Sequence, residues 1–392
     1  MIVLTSTKVD MFLLLKKIIL YCLRFPRRVS EKILVGFADF WGFVAIAKYR
    51  AVKRLGNHNA HNIIPHEKKP RCLILRYDKY GNELDKSFEY DKIALPLKES
   101  GYETTTYAWD GNLISRHNLL ESVLELNPDL IVLSSYVMIG GRIKNQPSIS
   151  FFAALKSFVP NAKLVCLWWD TCSNRFWSKF PLESVFDLHV AMENPCGMSL
   201  DITRHVRQKF LFLYSTHPRS TLIRPKEKDI SVFFSGQIGD YRNNRKEYID
   251  HLMKNGFGKH IYTNDRATQM PMREYFEKMG RARIVLNFSM SVDFHQLKGR
   301  IFEAMLTNCL LLESRNPQIE CFFRDGDHYV AYDSKEDLLD KILYFEKNPA
   351  EGERIAQNAR DLVLKEFTTE NFWKSVHDFL GIKIPPRGDP KP

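Results

Sequence analysis

The sequence predicts an α/β protein of two parallel-sheet units facing each other across a cleft, preceded by a basic helical extension. Three observations predict it. From residue 71 onward, short and nearly continuous apolar runs alternate with amphipathic stretches, the pattern of strands covered by helices on both faces. The alternation lapses over 214–228 (YSTHPRSTLIRPKEK) and then restarts, so the pattern occurs twice. The chain has 392 residues, more than one domain of about 150 residues holds.

The extension comes first. Residues 1–56 carry eleven Lys or Arg against three acids, a net +8 of the chain's total +11. The body is therefore nearly balanced, which argues against a nucleic-acid partner, since that calls for a basic folded face. The run at 33–47 (ILVGFADFWGFVAIA) contains Asp39 and as a helix is about 22 Å long, short of the ~30 Å hydrocarbon core. Lys16 and Lys17 interrupt the run at 11–23. Neither run reads as a span, and no signal-peptide cleavage pattern follows. Mixed apolar, aromatic and basic residues fit a helix lying on an anionic membrane surface. A helical extension packed on the body, with its basic residues solvated, fits the same residues. The polar stretch 57–70, with two prolines, reads as a linker.

In the first unit the spacing predicts strands at 71–75, 103–107, 129–134, 163–168, 187–191 and 210–213, with amphipathic stretches at 89–100 and 115–126. In the second it predicts strands at 230–235, 259–263, 283–288, 309–312 and 328–332. Helices are expected at 243–255, 271–280, 300–307 and 335–346, and 349–381 is strongly helical. The seven cysteines are scattered and none has zinc spacing, which excludes a disulfide framework or a structural zinc as the organising principle.

The chemistry concentrates in 283–314 (RIVLNFSMSVDFHQLKGRIFEAMLTNCLLLES). A strand ends near Asn287, and a polar loop leads to Lys298-Gly299-Arg300 at a helix start. Gly299 permits close backbone approach, the N–H groups of the helix start favour an anion, and Lys298 and Arg300 add positive charge. Glu303 is expected in the first turn, where it complements the helix dipole. Alternatively, its carboxylate accepts both hydroxyls of a vicinal diol such as ribose. Diphosphate and ribose together describe a nucleotide. A second anion candidate is 235–245 (SGQIGDYRNNR), where Gly236 and Gly239 admit a phosphate and Arg242 and Arg245 follow; an ordinary strand-to-helix turn fits it too.

The run KGRIFEAMLTNCLLLES, followed by FFRDGDHYVAYDSKEDLLDKILYFEKNPAEGERIAQNAR, resembles the C-terminal domain of group-1-type glycosyltransferases, in particular the spore-maturation-protein-like branch. The matching positions are Lys298, Gly299, Arg300, Glu303, Gly326, Tyr332 and Asp333. The resemblance is strong over 230–370, looser over 71–215, and does not extend to 1–65. It implies a GT-B fold of two Rossmann-like domains: extension and linker at 1–65, an acceptor domain at 66–215, a nucleotide-sugar domain at 216–368, and at 369–392 a helix crossing back to the first domain plus a tail. The implied activity is transfer of a sugar from a nucleotide-sugar donor to an acceptor hydroxyl of a glycan or glycolipid. Of the matching positions, Lys298, Gly299, Arg300 and Glu303 are expected to bind the donor, joined by Gly236, Gly239, Arg242 and Asn287 from the strand-to-helix readings above. Two departures stand out. Eight residues before Glu303, where many such enzymes have Glu, this chain has His295. The usual Gly after the helix is Asn308, which also tolerates the left-handed conformation of a helix end.

Asp170, just beyond the strand at 163–168, is the candidate base for the acceptor hydroxyl, with helix capping as its alternative role. His295 is the second catalytic candidate. Arg76, Asp78 and Gly81, after the first strand, are expected to line the cleft. Asp325-Gly326-Asp327 spells a metal signature of another glycosyltransferase fold, but Gly flanked by Asp suits a tight turn, so no metal and no cofactor besides the donor is expected. Two other readings keep this fold: a nucleotide-sugar epimerase, and a membrane-attached nucleotide- or glycan-binding protein without catalysis. The expected location is cytoplasmic, peripheral at the inner face of a membrane if residues 1–56 attach there.

Overall fold

A computed structural model describes residues 69–77, 90–109, 119, 122–134, 152, 155–156, 158–168, 185–191, 210–213, 227–239, 245–264, 270–288 and 297–382. The extension, Asp78, Gly81, Asp170, Arg242 and His295 lie outside them.

The first unit is a six-stranded parallel sheet: β1 (Arg71–Tyr77), β2 (Glu103–Trp109), β3 (Leu130–Leu133), β4 (Lys163–Trp168), β5 (Leu188–Ala191) and β6 (Phe210–Phe212), in the order β2-β1-β3-β4-β5-β6. All four residues of β3 are buried. That is why its sequence, LIVL, is apolar without alternation: both faces are covered. Leu73, Leu75, Ile131 and Leu133 face one apolar cluster, and Cys72, Ile74, Leu130 and Val132 face the other. A π-turn at Tyr90–Ala94 leads into α1 (Leu95–Glu99), which packs on the second of these faces.

The second unit repeats the plan with five parallel strands: β7 (Ile230–Gly236), β8 (Ile261–Thr263), β9 (Ala282–Asn287), β10 (Leu310–Ser314) and β11 (Val330–Tyr332), in the order β11-β10-β9-β7-β8. Its helices are α2 (Arg245–Lys254), α3 (Met272–Gly280), α4 (Gly299–Leu306), the short α5 (Pro317–Glu320), α6 (Lys335–Lys347) and α7 (Pro349–Glu366). The α3 and α4 side chains Met279, Ile301, Phe302 and Met305 cover one face with Ala359 and Val363 of α7. The α2 and α6 side chains Ile249, Leu252, Leu338 and Ile342 cover the other. Eleven strands stand where eleven apolar runs predicted them, with ends moved by one or two residues.

Two local devices set the helix ends that matter below. Helix α4 stops at Thr307 with Asn308 in the left-handed region at φ 55°. The Asn308 N–H bonds the Met305 carbonyl and the Cys309 N–H bonds the Ala304 carbonyl, the paired closure of a Schellman end. Asn replaces glycine there because its short polar side chain tolerates positive φ. The last helix, α8 (Thr369–Leu380), starts at Thr368, whose hydroxyl accepts the Asn371 N–H at 3.1 Å.

The chain changes units just before that cap. Phe367 packs edge-on against Phe322 and at a tilt against Phe302 and Phe323 of the second unit. Five residues on, Phe372, Trp373 and Val376 of α8 are buried against Ile74, Leu97, Val132 and Val165 of the first. The Trp373 indole N–H donates to the Lys92 carbonyl at 2.9 Å. Burying such a side chain contributes roughly 2–3 kcal/mol before ordering costs, so α8 fastens the end of the chain to the first sheet.

Candidate functional site

In the second sheet the chain passes from β7 to β8 on one side and from β8 to β9 on the other. The strand order therefore reverses between β7 and β9. In sheets of this kind ligands bind beyond the carboxyl ends of the strands at that reversal. Here β7 ends at Ser235-Gly236 and β9 at Asn287.

Arg300, the second residue of α4, reaches both ends. One guanidinium nitrogen donates to Asn287 Oδ1 at 2.9 Å and another donates to the Ser235 carbonyl. The guanidinium lies 5.0 Å from the Phe234 ring centre. Gly236 leaves room for this arrangement: a Cβ there would stand 3.1 Å from Arg300 Nη2 and 3.0 Å from Phe234 Cζ, so a side chain would have to give slightly. Asn287 is fully buried and donates in turn to the buried Glu313 carboxylate at 2.6 Å. The buried Tyr332 hydroxyl donates to the Asn287 carbonyl at 2.8 Å, and burial pushes that phenol well above its ordinary pKa. Among the described residues, Arg300 bonds a neutral amide and a carbonyl and forms no ion pair. Its positive charge is held in place, and among the described residues no carboxylate neutralises it.

A second arginine approaches the same strand ends from the opposite face. Arg245, the first residue of α2, is only 5% exposed. It donates to the Gln237 carbonyl at 2.8 Å and the Phe288 carbonyl at 2.6 Å. With these acceptors its task is to join the two strand ends.

Helix α4 opens at Gly299 with Lys298 as its half-buried N-cap, whose own side chain makes no capping bond. Its first N–H groups thus lie at the carboxyl end of the sheet, where an anion is favoured. Glu303 differs from expectation. The helix begins one residue earlier than predicted and has no acid in its first turn. Glu303 therefore sits in the second turn, half-buried, where the helix dipole offers little. Its Oε2 accepts the Tyr275 hydroxyl of α3 at 2.8 Å.

Gly236, Asn287, Gly299, Arg300 and Glu303 thus lie on one strand reversal and the helix that reaches it. Gly239 follows β7 by three residues and is half-buried. In the first sheet, Arg76 is buried near the end of β1, beside the fully buried Ser134 that follows β3. Asp325-Gly326-Asp327 forms a turn: Gly326 has φ 77°, Asp325 accepts the Ala331 N–H at 2.9 Å, and Asp327 accepts from Asn358 at 2.8 Å. Among the described residues no cluster of His, Cys, Asp or Glu is arranged to hold a metal ion. Asp333 makes a two-point ion pair with Arg315 at 2.6 and 3.0 Å, and this pairing holds its carboxyl below the usual range. Sequence reasoning missed Tyr275 and Glu313. Both act through side chains more than twenty residues away, and only the fold brings those together.

Residues 241–378 match the family model described as glycosyl transferase-like. No curated protein matches the chain. Among solved structures, HepE of Anabaena, determined with UDP and glucose, superposes with a TM-score of 0.55 at 11% identity, over 80% of this chain and 99% of that one. An α-glucosyltransferase determined with UDP-glucose and DNA containing an abasic site gives 0.54 at 12% identity, over 80% and 99%. Sucrose-phosphate synthase of Thermosynechococcus elongatus gives 0.51 at 9% identity, over 81% and 100%. The two parallel-sheet units of this chain therefore have the GT-B glycosyltransferase fold.

Proposed function

We propose that the protein is a glycosyltransferase that moves a sugar from a nucleotide-sugar donor to an acceptor hydroxyl. The observation that carries this reading is the cluster at the β7–β9 reversal, where Arg300, Asn287 and Gly236 interlock beside the start of α4. The match over 241–378 is to a transferase model and includes Asn287, Arg300 and the start of α4, which favours transfer over epimerisation.

In the proposed reaction the acceptor oxygen bonds to the anomeric carbon as the bond to the diphosphate oxygen breaks. The acceptor's proton passes to Asp170, placed by the sequence just beyond β4. The leaving diphosphate carries the developing charge, and Arg300, Lys298 and the first N–H groups of α4 stabilise it. Glu303 accepts the ribose hydroxyls, and Gly236 and Gly239 let the backbone approach, with Arg242 beyond them. His295 stands where related enzymes use Glu to contact the sugar. Charge neutralisation by these groups is a route that needs no metal. The KGR-x-x-E pattern supports the spore-maturation-protein-like branch. The basic residues of 1–56 support attachment to an anionic membrane surface at its cytoplasmic face, and with it a glycan or glycolipid acceptor.

The test is incubation of the full chain with a panel of nucleotide sugars, beginning with UDP-glucose, and membrane glycolipid acceptors. Nucleoside diphosphate release that depends on acceptor is expected. Tight nucleotide binding without turnover across the panel would replace the enzyme by a binding protein.

A further inference from the structure

We propose that Tyr275 is a positioning residue of the donor site, its hydroxyl holding the Glu303 carboxylate in the orientation that accepts the ribose hydroxyls. The inference rests on the reading of Glu303 as the ribose acceptor. Nothing in the KGR-x-x-E pattern points to Tyr275, which lies on a different helix 28 residues earlier.

The geometry is specific. Tyr275 is in the first turn of α3 and Glu303 in the second turn of α4, and both helices cover the same face of the second sheet. The hydroxyl-to-Oε2 distance is 2.8 Å, the range of a well-formed bond to a carboxylate. The ring is set independently of that bond. It lies edge-on to Phe233 at 5.8 Å and to Phe276 at 5.2 Å, so the hydroxyl is presented from a fixed platform. Burial and the Glu303 charge push the phenol well above its ordinary pKa, while Arg300 acts on it in the opposite direction. Tyr275 therefore keeps its proton and is always a donor to Glu303. Arg300 and Glu303 are three residues apart on α4, neighbours on one helix face. The same hydroxyl thus feels both the charge assigned to the diphosphate and the charge assigned to the ribose.

A glutamate on a helix surface samples several rotamers, and a diol needs one of them. Fixing one oxygen selects the rotamer in advance, and a carboxylate's roughly four acceptor sites allow it to accept further hydroxyls. The consequence is discrimination. A held carboxylate penalises loss of a ribose hydroxyl more than one that can swing away.

The experiment measures, by calorimetry, binding of UDP, GDP, ADP and CDP to the full chain, then compares the tightest with its 2′-deoxy counterpart. The unmodified protein is expected to prefer the ribonucleotide by roughly tenfold or more. Tyr275→Phe, which keeps the ring contacts, is expected to cut that preference to about threefold or less. Glu303→Gln should also cut it, and the double variant should be no worse than Glu303→Gln alone. A Tyr275→Phe preference equal to that of the unmodified protein, with Glu303→Gln diminished, overturns the role of Tyr275 and leaves Glu303 in place. Independent, additive losses would make Tyr275 a packing residue only and likewise overturn the proposal. An unchanged preference in Glu303→Gln, no preference in the unmodified protein, or no binding of any of the four overturns the donor-site reading itself.

Discussion

The strand ends of the second unit and the docked helix of the first both bury a basic side chain, and they do so in opposite ways. At the strand ends, Arg245 and Arg300 reach backbone carbonyls and the Asn287 amide, and these acceptors let them keep their charge. At the dock, His377 of α8 is 1% exposed and stacks on the Tyr102 ring at 5.5 Å and 11°. Neither of its ring nitrogens has a hydrogen-bond partner among the described residues. Burial therefore lowers its pKa from 6.5 to about 4, against the opposing pull of Asp378 and of the Trp373 backbone. A guanidinium cannot shed its proton, so the fold must supply oxygens; an imidazole can, so an aromatic stack suffices. The first arrangement holds charge beside the proposed diphosphate site, and the second removes charge where two units are joined.

The largest way to break this contrast is Arg245→Met. It deletes two charge-assisted bonds and leaves the Gln237 and Phe288 carbonyls without them, which should cost about 4 kcal/mol of stability. Urea unfolding followed by a probe in the second unit measures it. A loss under about 1 kcal/mol would mean that the strand ends hold together without the arginine.

The next effect belongs to the dock. Unfolded His377 titrates near its ordinary 6.5 and the folded one near 4, so between these values the unfolded chain takes up a proton that the folded chain refuses. Stability is complete above pH 6.5 and falls as the pH drops toward 4, by about 3 kcal/mol from this residue. Denaturant midpoints at pH 7.5 and 4.5 should differ more in the unmodified protein than in His377→Phe, which keeps the stack without the titration. Equal differences would show that another group sets the acid limit.

At the strand ends, Arg300→Met separates binding from folding. Among the described residues its half-buried side chain hydrogen-bonds one carbonyl and one side-chain amide, and it is less buried than Arg245, so stability should fall by about 1 kcal/mol, less than for Arg245→Met. If the proposed donor site is right, affinity for a nucleoside diphosphate should fall roughly a hundredfold, since the charge assigned to the phosphates is lost. Equal stability losses for the two arginines, with binding untouched, would erase the distinction between the latch and the ligand-facing charge.

How much of this was legible beforehand depended on how far apart the cooperating residues lie. The strands were readable because parallel sheets covered on both faces leave unbroken apolar runs, such as LIVL at 130–133. Lys298, Gly299, Arg300 and Glu303 were readable because they lie within six residues of one another. Tyr275 and Glu313 were not, because their meaning comes from strand order and helix packing. Asn287 and Glu313 meet only because β9 and β10 pair in register, which places these two residues side by side. Of the shifted element ends, the start of α4 is the one that changes a candidate's setting. With Gly299 rather than Arg300 as the first helical residue, Glu303 passes from the dipole-favoured turn to the one below it, and its partner becomes a tyrosine.

The smallest effect tests how finely Arg300 is set. Gly236 has no positive φ, so alanine meets no backbone strain there, and replacing glycine in a strand should if anything favour folding. Its new methyl would nonetheless stand 3.0 Å from Phe234 Cζ and 3.1 Å from Arg300 Nη2, and the arginine end is the more easily displaced of the two. Gly236→Ala should therefore leave the unfolding midpoint within about 0.5 kcal/mol while weakening nucleoside diphosphate binding roughly tenfold. Combined with Arg300→Met the glycine substitution should add almost nothing, because the atom it displaces is gone. An additive loss in the double variant would assign Gly236 a direct approach to the phosphates instead of a seat for Arg300.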